Sequence, residues 1–217
     1  MSCTPTDVTT TGPHIAVMAD MTPVRPLSWR PEFPVSLHSA KRVRHHVSMV
    51  AMRLNLGAGD RYAPGWHNVD RADCPHAKDE AHDLRDFLPW TDVQYAYAGH
   101  LLEHLRVGNA IVLLERLLQC MAPGGELMVV GPDCVVAEGM AFAGTLDVTL
   151  DSLKYGASRW PGDEHRWECS QLDIRILLER TGWSDVTNVG INSVPMMWPV
   201  ADRRPQWQCA ISARRVL

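Results

Sequence analysis

The sequence contains no Cys-x-x-Cys pair, although it has six cysteines. Several of them sit inside apolar runs such as "LLQCMA" and "WQCAIS". That pattern points to reduced core thiols in a cytoplasmic protein rather than a disulfide framework. Cys74-Pro75-His76, with His82 beyond it, fits no zinc spacing and reads as a solvated loop. No apolar stretch approaches the roughly 18–20 residues that a membrane helix needs. The short run "HIAVMADM" lacks a basic flank and contains an aspartate, so no leader is expected from it. Strong charge of either sign is also missing. The net charge is -4 with 21% charged residues, which argues against a broadly basic nucleic-acid or membrane surface but leaves room for a local basic patch. No internal repeat is present.

The chain does hold 217 residues, 46% of them hydrophobic, enough for one substantial core. Its eight tryptophans mostly stand beside Pro, Gly or Arg. They read either as loop anchors packed on the core edge or as an aromatic rim for a ligand. Residues 1–45 carry six prolines and no helical or strand period, so an extended, partly disordered arm is expected there. Trp29 and Phe33 are its candidate docking residues, and "KRVRHH" adds a short basic run.

Residues 46–217 alternate strand and helix signals. "SMVAMRLNLGAGD" gives a buried strand ended by glycines, "GWHNVDR" a second, "DVQYAYAGH" a third and "ELMVVG" a fourth. "NAIVLLERLLQCM" has helical spacing, and Ser170-Gln171-Leu172-Asp173 resembles a capping box opening a helix that Gly182 closes. "WSDVTNVG" and "QWQCAISARRV" read as two final strands with no clear helix between them. The expected fold is α/β: a Rossmann-like, doubly wound, mostly parallel sheet with an antiparallel edge strand. Segments 134–168, read as irregular, and 191–205 are expected to cap a pocket, with Trp160, Trp167 and Trp198 as candidate contacts.

In open α/β sheets ligands bind beyond the carboxyl ends of the strands. The residues to watch are therefore Gly57-Ala58-Gly59-Asp60, Asp70-Arg71, Asp83-Leu84 and Gly99-His100. Gly57 and Gly59 let a ligand approach the backbone. Asp70 is placed to accept from a ribose diol, Asp83 to accept from an adenine amino group and Leu84 to pack on the ring. "GAGDRY" lacks the third glycine of the dinucleotide fingerprint, and no Tyr-x-x-x-Lys pair exists.

"AGHLLEHLR" contains His100-x-x-Glu103-His104, the pattern of an inverted zinc-peptidase signature. Such a site needs a long helix and a third ligand elsewhere, whereas here Gly108 soon interrupts. Glu103 and His104 can instead secure a turn.

"LNLGAGD", "GWHNVD", "HDL", "GHLLEHL", "MAPGGELMVVGPD" and "LLERTGW" together, in that order, resemble a class I S-adenosylmethionine-dependent methyltransferase of the short branch, over residues 53–217. The resemblance implies a transferase that uses S-adenosylmethionine as cofactor and an unidentified methyl acceptor as partner. A small molecule, sugar or nucleotide is favoured as acceptor, with nucleic acid left open. It implies cofactor contacts from Asn55, Gly57, Ala58, Gly59, Asp60, Asp70, Arg71, Asp83, Leu84 and Gly99. It implies catalytic roles near the sulfonium and acceptor for His100, Glu103, His104 and His165, with His100 or His165 as base. Asn55 stands where many relatives carry an acid, and Arg61 where many carry a glycine. The pattern also resembles E-x-x-E-H of metal-dependent O-methyltransferases, so a divalent ion is the minor alternative. This chain offers His100, Glu103, His104 and His165 to such an ion, with none assigned as its ligand. A non-catalytic cofactor-binding module is the rival from another class.

Overall fold

In the computed structural model the described residues are 51–216, apart from 77, 160, 161 and 204. The expected N-terminal arm, with Trp29, Phe33 and the basic run, lies outside them, as does Trp160.

Seven strands form one sheet: β1 (Met52–Leu56), β2 (His67–Asp70), β3 (Glu80–Ala81), β4 (Val93–Gly99), β5 (Met121–Pro132), β6 (Ser184–Val189) and β7 (Gln208–Arg214). Their order is β3-β2-β1-β4-β5-β7-β6. The pairs from β3 through β5 are parallel, and β7 runs antiparallel to both β5 and β6. The edge pairing is thus antiparallel, with the reversed strand one position in. β5 begins earlier than its apolar run suggests, at Met121, because Pro123-Gly124-Gly125 carries the chain along Val93 and Arg215 rather than into a separate turn.

Side chains alternate across the sheet. Leu54, Leu56, Ala96, Ala98, Leu127, Val129, Ile211 and Ala213 face one side. There they meet α1 (Val107–Cys120) through Leu113, Leu114 and Leu117, and α4 (Gln171–Arg180) through Ile174, Leu177 and Leu178. α4 starts at the expected capping box: Ser170 Oγ accepts from Asp173 N–H, and Asp173 accepts from Ser170 N–H. Trp183 Nε1–H donates to Leu114 O at 3.2 Å and ties the β6 end to α1.

The opposite face has no long helix among the described residues. Tyr97, Met128, Val130 and Ala210 are covered by Trp66, Ile191, Val194 and Trp198. Trp198 packs 5.5 Å from Trp66 and 5.8 Å, edge-on, from Tyr95. It is a core residue at 3% exposure, so the 191–205 segment closes the sheet face here rather than presenting Trp198 to a ligand.

β1 and β2 are parallel neighbours, yet residues 57–66 between them hold no helix. A polar ladder replaces it. Asn55 Nδ2 donates to Arg61 O and to Asn68 Oδ1; Asn68 Oδ1 also accepts from Ala63 N–H. Asn68 Nδ2 donates to Ala63 O, Trp66 O and Asp79 Oδ2. Asn68 is fully buried, so these bonds satisfy backbone groups that a helix would have paired internally.

The 134–168 segment is more regular than its sequence suggests. It holds α2 (Cys134–Phe142), capped by the Asp133 side chain on Val136 N–H, and α3 (Leu150–Tyr155), capped by Thr149 on Ser152 N–H. α2 hides from pattern reading because Val135, Val136 and Phe142 are exposed on it.

Candidate functional site

A cleft of about 1120 Å³ opens beyond the carboxyl ends of β1, β2 and β4. Gly57, Ala58, Gly59, Asp60, Asp70, Arg71, Asp83, Leu84, Gly99, His100, His104 and His165 all line it. Two expected residues do not. Asn55 is spent on the ladder described above, and Glu103, 1% exposed, lies beneath the His100 ring.

At one end the chain turns sharply after β1. Gly57 and Gly59 have φ of +63° and +52°, values that favour glycine. A Cβ on Gly57 would stand 2.7 Å from Leu101 Cδ1. Asp70 Oδ2 accepts from Gly59 N–H at 2.6 Å and Oδ1 from Arg71 N–H at 2.7 Å. One carboxylate thus braces the glycine turn and β2's exit, with lone pairs left over on both oxygens. Asp83 is gripped by Arg85 through Nε and Nη2 and accepts from Arg85 N–H. The Arg85 hydrogen bonds hold the Asp83 carboxyl down at about 2. Arg116 of α1 donates to Arg85 O and Asp86 O and fixes that loop.

At the other end His100 follows β4 with φ +53°. Its Nδ1 lies 3.0 Å from Glu103 Oε1, and its Nε2 lies 3.0 Å from Gln208 Oε1. Gln208 Nε2 donates to Asp202 O, which leaves its oxygen for the ring. Both ring nitrogens therefore face acceptors, the arrangement of an imidazolium. Burial works against that charge, but the Glu103 hydrogen bond and charge outweigh it and raise His100 above its ordinary value. Burial likewise pushes Glu103 up, while the bond and charge of His100 pull it below its ordinary value, and they prevail.

His165 is set up in the opposite way. Its Nδ1–H donates to Leu153 O at 2.8 Å, and burial holds the imidazole below its ordinary value. Nε2 then keeps its lone pair. The His104 ring stands 4.8 Å from it, edge to face, with Nδ1 3.4 Å from Glu164 O. One ligand-type atom each from Glu103, His104 and His165 fall within 4.8 Å of one another. One carboxylate oxygen and two imidazoles whose Nδ1 atoms face carbonyls form a donor set that fits a divalent transition ion.

The peptidase pattern does not survive this geometry. Glu103 and His104 belong to a 3-10 turn, Leu102–His104, and His100 precedes it in an extended-to-left-handed corner. The two histidines point to different partners, Gln208 and Glu164.

Sequence reading missed Gln208, Trp207, Arg106, Arg159 and Arg166, all of which line the cleft. Gln208 opens an apolar strand. Only the antiparallel placement of β7 brings its first residue to the exit of β5.

No protein-family model matches the chain, and no curated protein does. Solved structures do. SibL, an S-adenosylmethionine-dependent methyltransferase in its apo form, superposes with a TM-score of 0.52 at 16% identity, over 81% of this chain and 53% of that one. Human N-acetylserotonin methyltransferase, in complex with SAM, gives 0.50 at 16% identity over 76% and 48%. The pyocyanin biosynthetic protein PhzM gives 0.51 at 16% identity over 77% and 51%. The chain has the class I methyltransferase fold. It spans about half the length of these proteins.

Proposed function

We propose that the protein binds S-adenosylmethionine in this cleft and transfers its methyl group to an acceptor, leaving S-adenosylhomocysteine. One observation carries the reading: glycines, Asp70 and Asp83 gather at one end of a single cleft, and a neutral imidazole with a free Nε2 stands at the other. In this reading the ribose diol shares the Asp70 oxygens with Gly59 and Arg71. The adenine lies against Leu84, and its amino group shares Asp83 with Arg85. Gly57 and Gly59 let the methionine part approach the backbone, and Gly99 with His100 lies toward the sulfonium.

Methyl transfer needs nucleophile, methyl carbon and sulfur in line. The acceptor's lone pair forms the new bond to carbon as the carbon–sulfur bond breaks, and the acceptor's proton leaves to a base. His165 Nε2 is assigned that role. His100 is not, because both its nitrogens already donate. Its charge, balanced by Glu103, holds the turn that carries His104.

The convergence of Glu103, His104 and His165 favours a second reading, in which these three hold a divalent ion. Such an ion would supply Lewis-acid polarisation of the acceptor oxygen. Cobalt(II) titration checks it. Visible absorption bands saturating at one equivalent, and lost in His104→Ala, are expected; unchanged spectra refute it. We also place the protein in the cytoplasm, a reading supported by the five free cysteines among the described residues.

Calorimetric titration with S-adenosylhomocysteine tests the main reading, followed by labelled-methyl incorporation across fractions of a cell extract. Binding together with incorporation that His165→Gln abolishes is expected. Absence of binding ends the reading. Binding without turnover on any fraction would favour the non-catalytic module.

A further inference from the structure

Charge is unevenly shared along the cleft. Arginines 61, 71, 85 and 159 are each matched by an acid that also lines it: Asp60 at 3.6 Å, Asp73 at 3.0 Å, Asp83, and Asp163 at 3.0 Å. Asp70 is held by two backbone N–H groups, and Asp202 is itself engaged. None of these acids is left over for the remaining two arginines, Arg106 and Arg166.

Those two stand at the acceptor end. Arg106 follows His104 by two residues, and Arg166 follows His165 directly. Arg166 N–H donates to Glu103 O at 2.7 Å, which ties the two segments side by side. The Arg106 side chain has no ion pair or hydrogen bond among the described residues, and it is exposed at the cleft. Among the described residues the Arg166 side chain pairs with Glu164 at 3.5 Å, a contact as loose and exposed as Arg61–Asp60 but with an acid that does not line the cleft. α1 begins at Val107 with no side-chain cap and no acid in its first turn, so its positive end adds to the same rim. The lining as a whole balances six arginines against six aspartates, so the positive character is confined to this rim.

We infer that the methyl acceptor carries an oxyanion, a carboxylate or a phosphate, which Arg106 and Arg166 seat so that its nucleophile lies at His165. The inference deepens the methyl-transfer reading and rests on it. Guanidinium groups suit planar or tetrahedral oxyanions, because their donors are fixed in a fork. Both arginines are exposed, so glutamine replacements leave the fold intact.

The test titrates inorganic phosphate and, separately, benzoate into protein loaded with S-adenosylhomocysteine, followed by calorimetry and by Arg Nε resonances. At least one probe binds the wild type, and the Arg106→Gln/Arg166→Gln variant loses at least about tenfold in affinity for it. S-adenosylhomocysteine affinity is unchanged in that variant. Phosphate binding stronger than benzoate assigns a phosphorylated acceptor, and the reverse assigns a carboxylate. If the nucleoside product binds but neither anion does, or both anions bind the variant equally well, this inference is overturned while the methyl-transfer reading stands. If the nucleoside product does not bind wild type, it is the methyl-transfer reading that fails.

Discussion

Replacing Glu103 by glutamine tests the pairing beneath the site. The glutamine keeps the shape and can still accept from His100 Nδ1–H, so only the charge is removed. Glu103 is 1% exposed and the His100 side chain 27%. A fully buried pair broken at one partner costs about 3–5 kcal/mol. The retained neutral bond and the part-exposed histidine reduce this to about 1 kcal/mol, the difference between a charged and a neutral hydrogen bond. For a chain of this size that is a fall of about 2–4 °C in Tm at pH 6. The pH profile has a definite sign. His100 is raised above its ordinary 6.5, so its contribution is complete below that pH and is lost as pH climbs through the folded value. Glu103 is lowered from its ordinary 4.5, so its contribution is present above that pH and is lost as pH falls through the folded value. The gap in Tm between wild type and E103Q should therefore be widest between these limits and close on either side. Calorimetric scans of metal-free protein from pH 3 to pH 9 read it. A constant gap, or none at pH 6, would show that His100 is neutral and that the pair is not an ion pair.

Asp70→Asn keeps the Gly59 brace but weakens acceptance from a ribose diol, and calorimetry should show cofactor affinity falling about 10- to 100-fold; an unchanged Kd would take Asp70 out of the cofactor site. Asn68→Leu strips the β1–β2 ladder and orphans Ala63 N–H and Trp66 O, so a loss of about 2–4 kcal/mol is expected in urea unfolding, and a midpoint shift equivalent to under about 1 kcal/mol contradicts the ladder's role. Gly99→Ala drives a Cβ to 2.3 Å from the Tyr97 hydroxyl; the strain of overpacking costs about 1–3 kcal/mol, and an unaltered Tm would show that the ring swings clear. Because burial lowers His165 from its ordinary 6.5, the acid limb of kcat/KM on an identified acceptor should fall below that pH, and a limb above it argues for another base.

Much of the sheet was readable because β1, β2, β4 and β5 hold buried runs ended by Gly or Asp, and because α1 and α4 bury one stripe each. One end of the cleft was readable for a related reason: Gly57, Gly59, Asp70 and Asp83 all lie at strand exits, which are fixed by local sequence, and all line it. What stayed hidden depended on distant chain. The ring N–H groups of His100 are taken up by Glu103, three residues on, and by Gln208, which reaches it only because β7 runs backwards beside β5. Trp198 reads as a loop residue until its contact with Trp66 and Tyr95 is known. The helices α2 and α3 are set by caps on Asp133 and Thr149 rather than by an apolar stripe.

The two faces of the sheet divide the work. On one, α1 and α4 bury apolar side chains whose loss would cost stability without touching the cleft. On the other, the polar ladder of Asn55 and Asn68 shapes residues 57–66, of which 57–61 line the cleft. A helix in that connection would hold its backbone by its own hydrogen bonds and could be altered side chain by side chain. Here the same backbone groups depend on two buried amides, so a change at Asn68 releases Ala63, four residues along the same connection from the Gly59 that Asp70 braces. On the proposed reading, stability and cofactor affinity are coupled on this face and separable on the other, so variants of Leu113 should lower Tm with Kd unchanged, whereas variants of Asn68 should move both together.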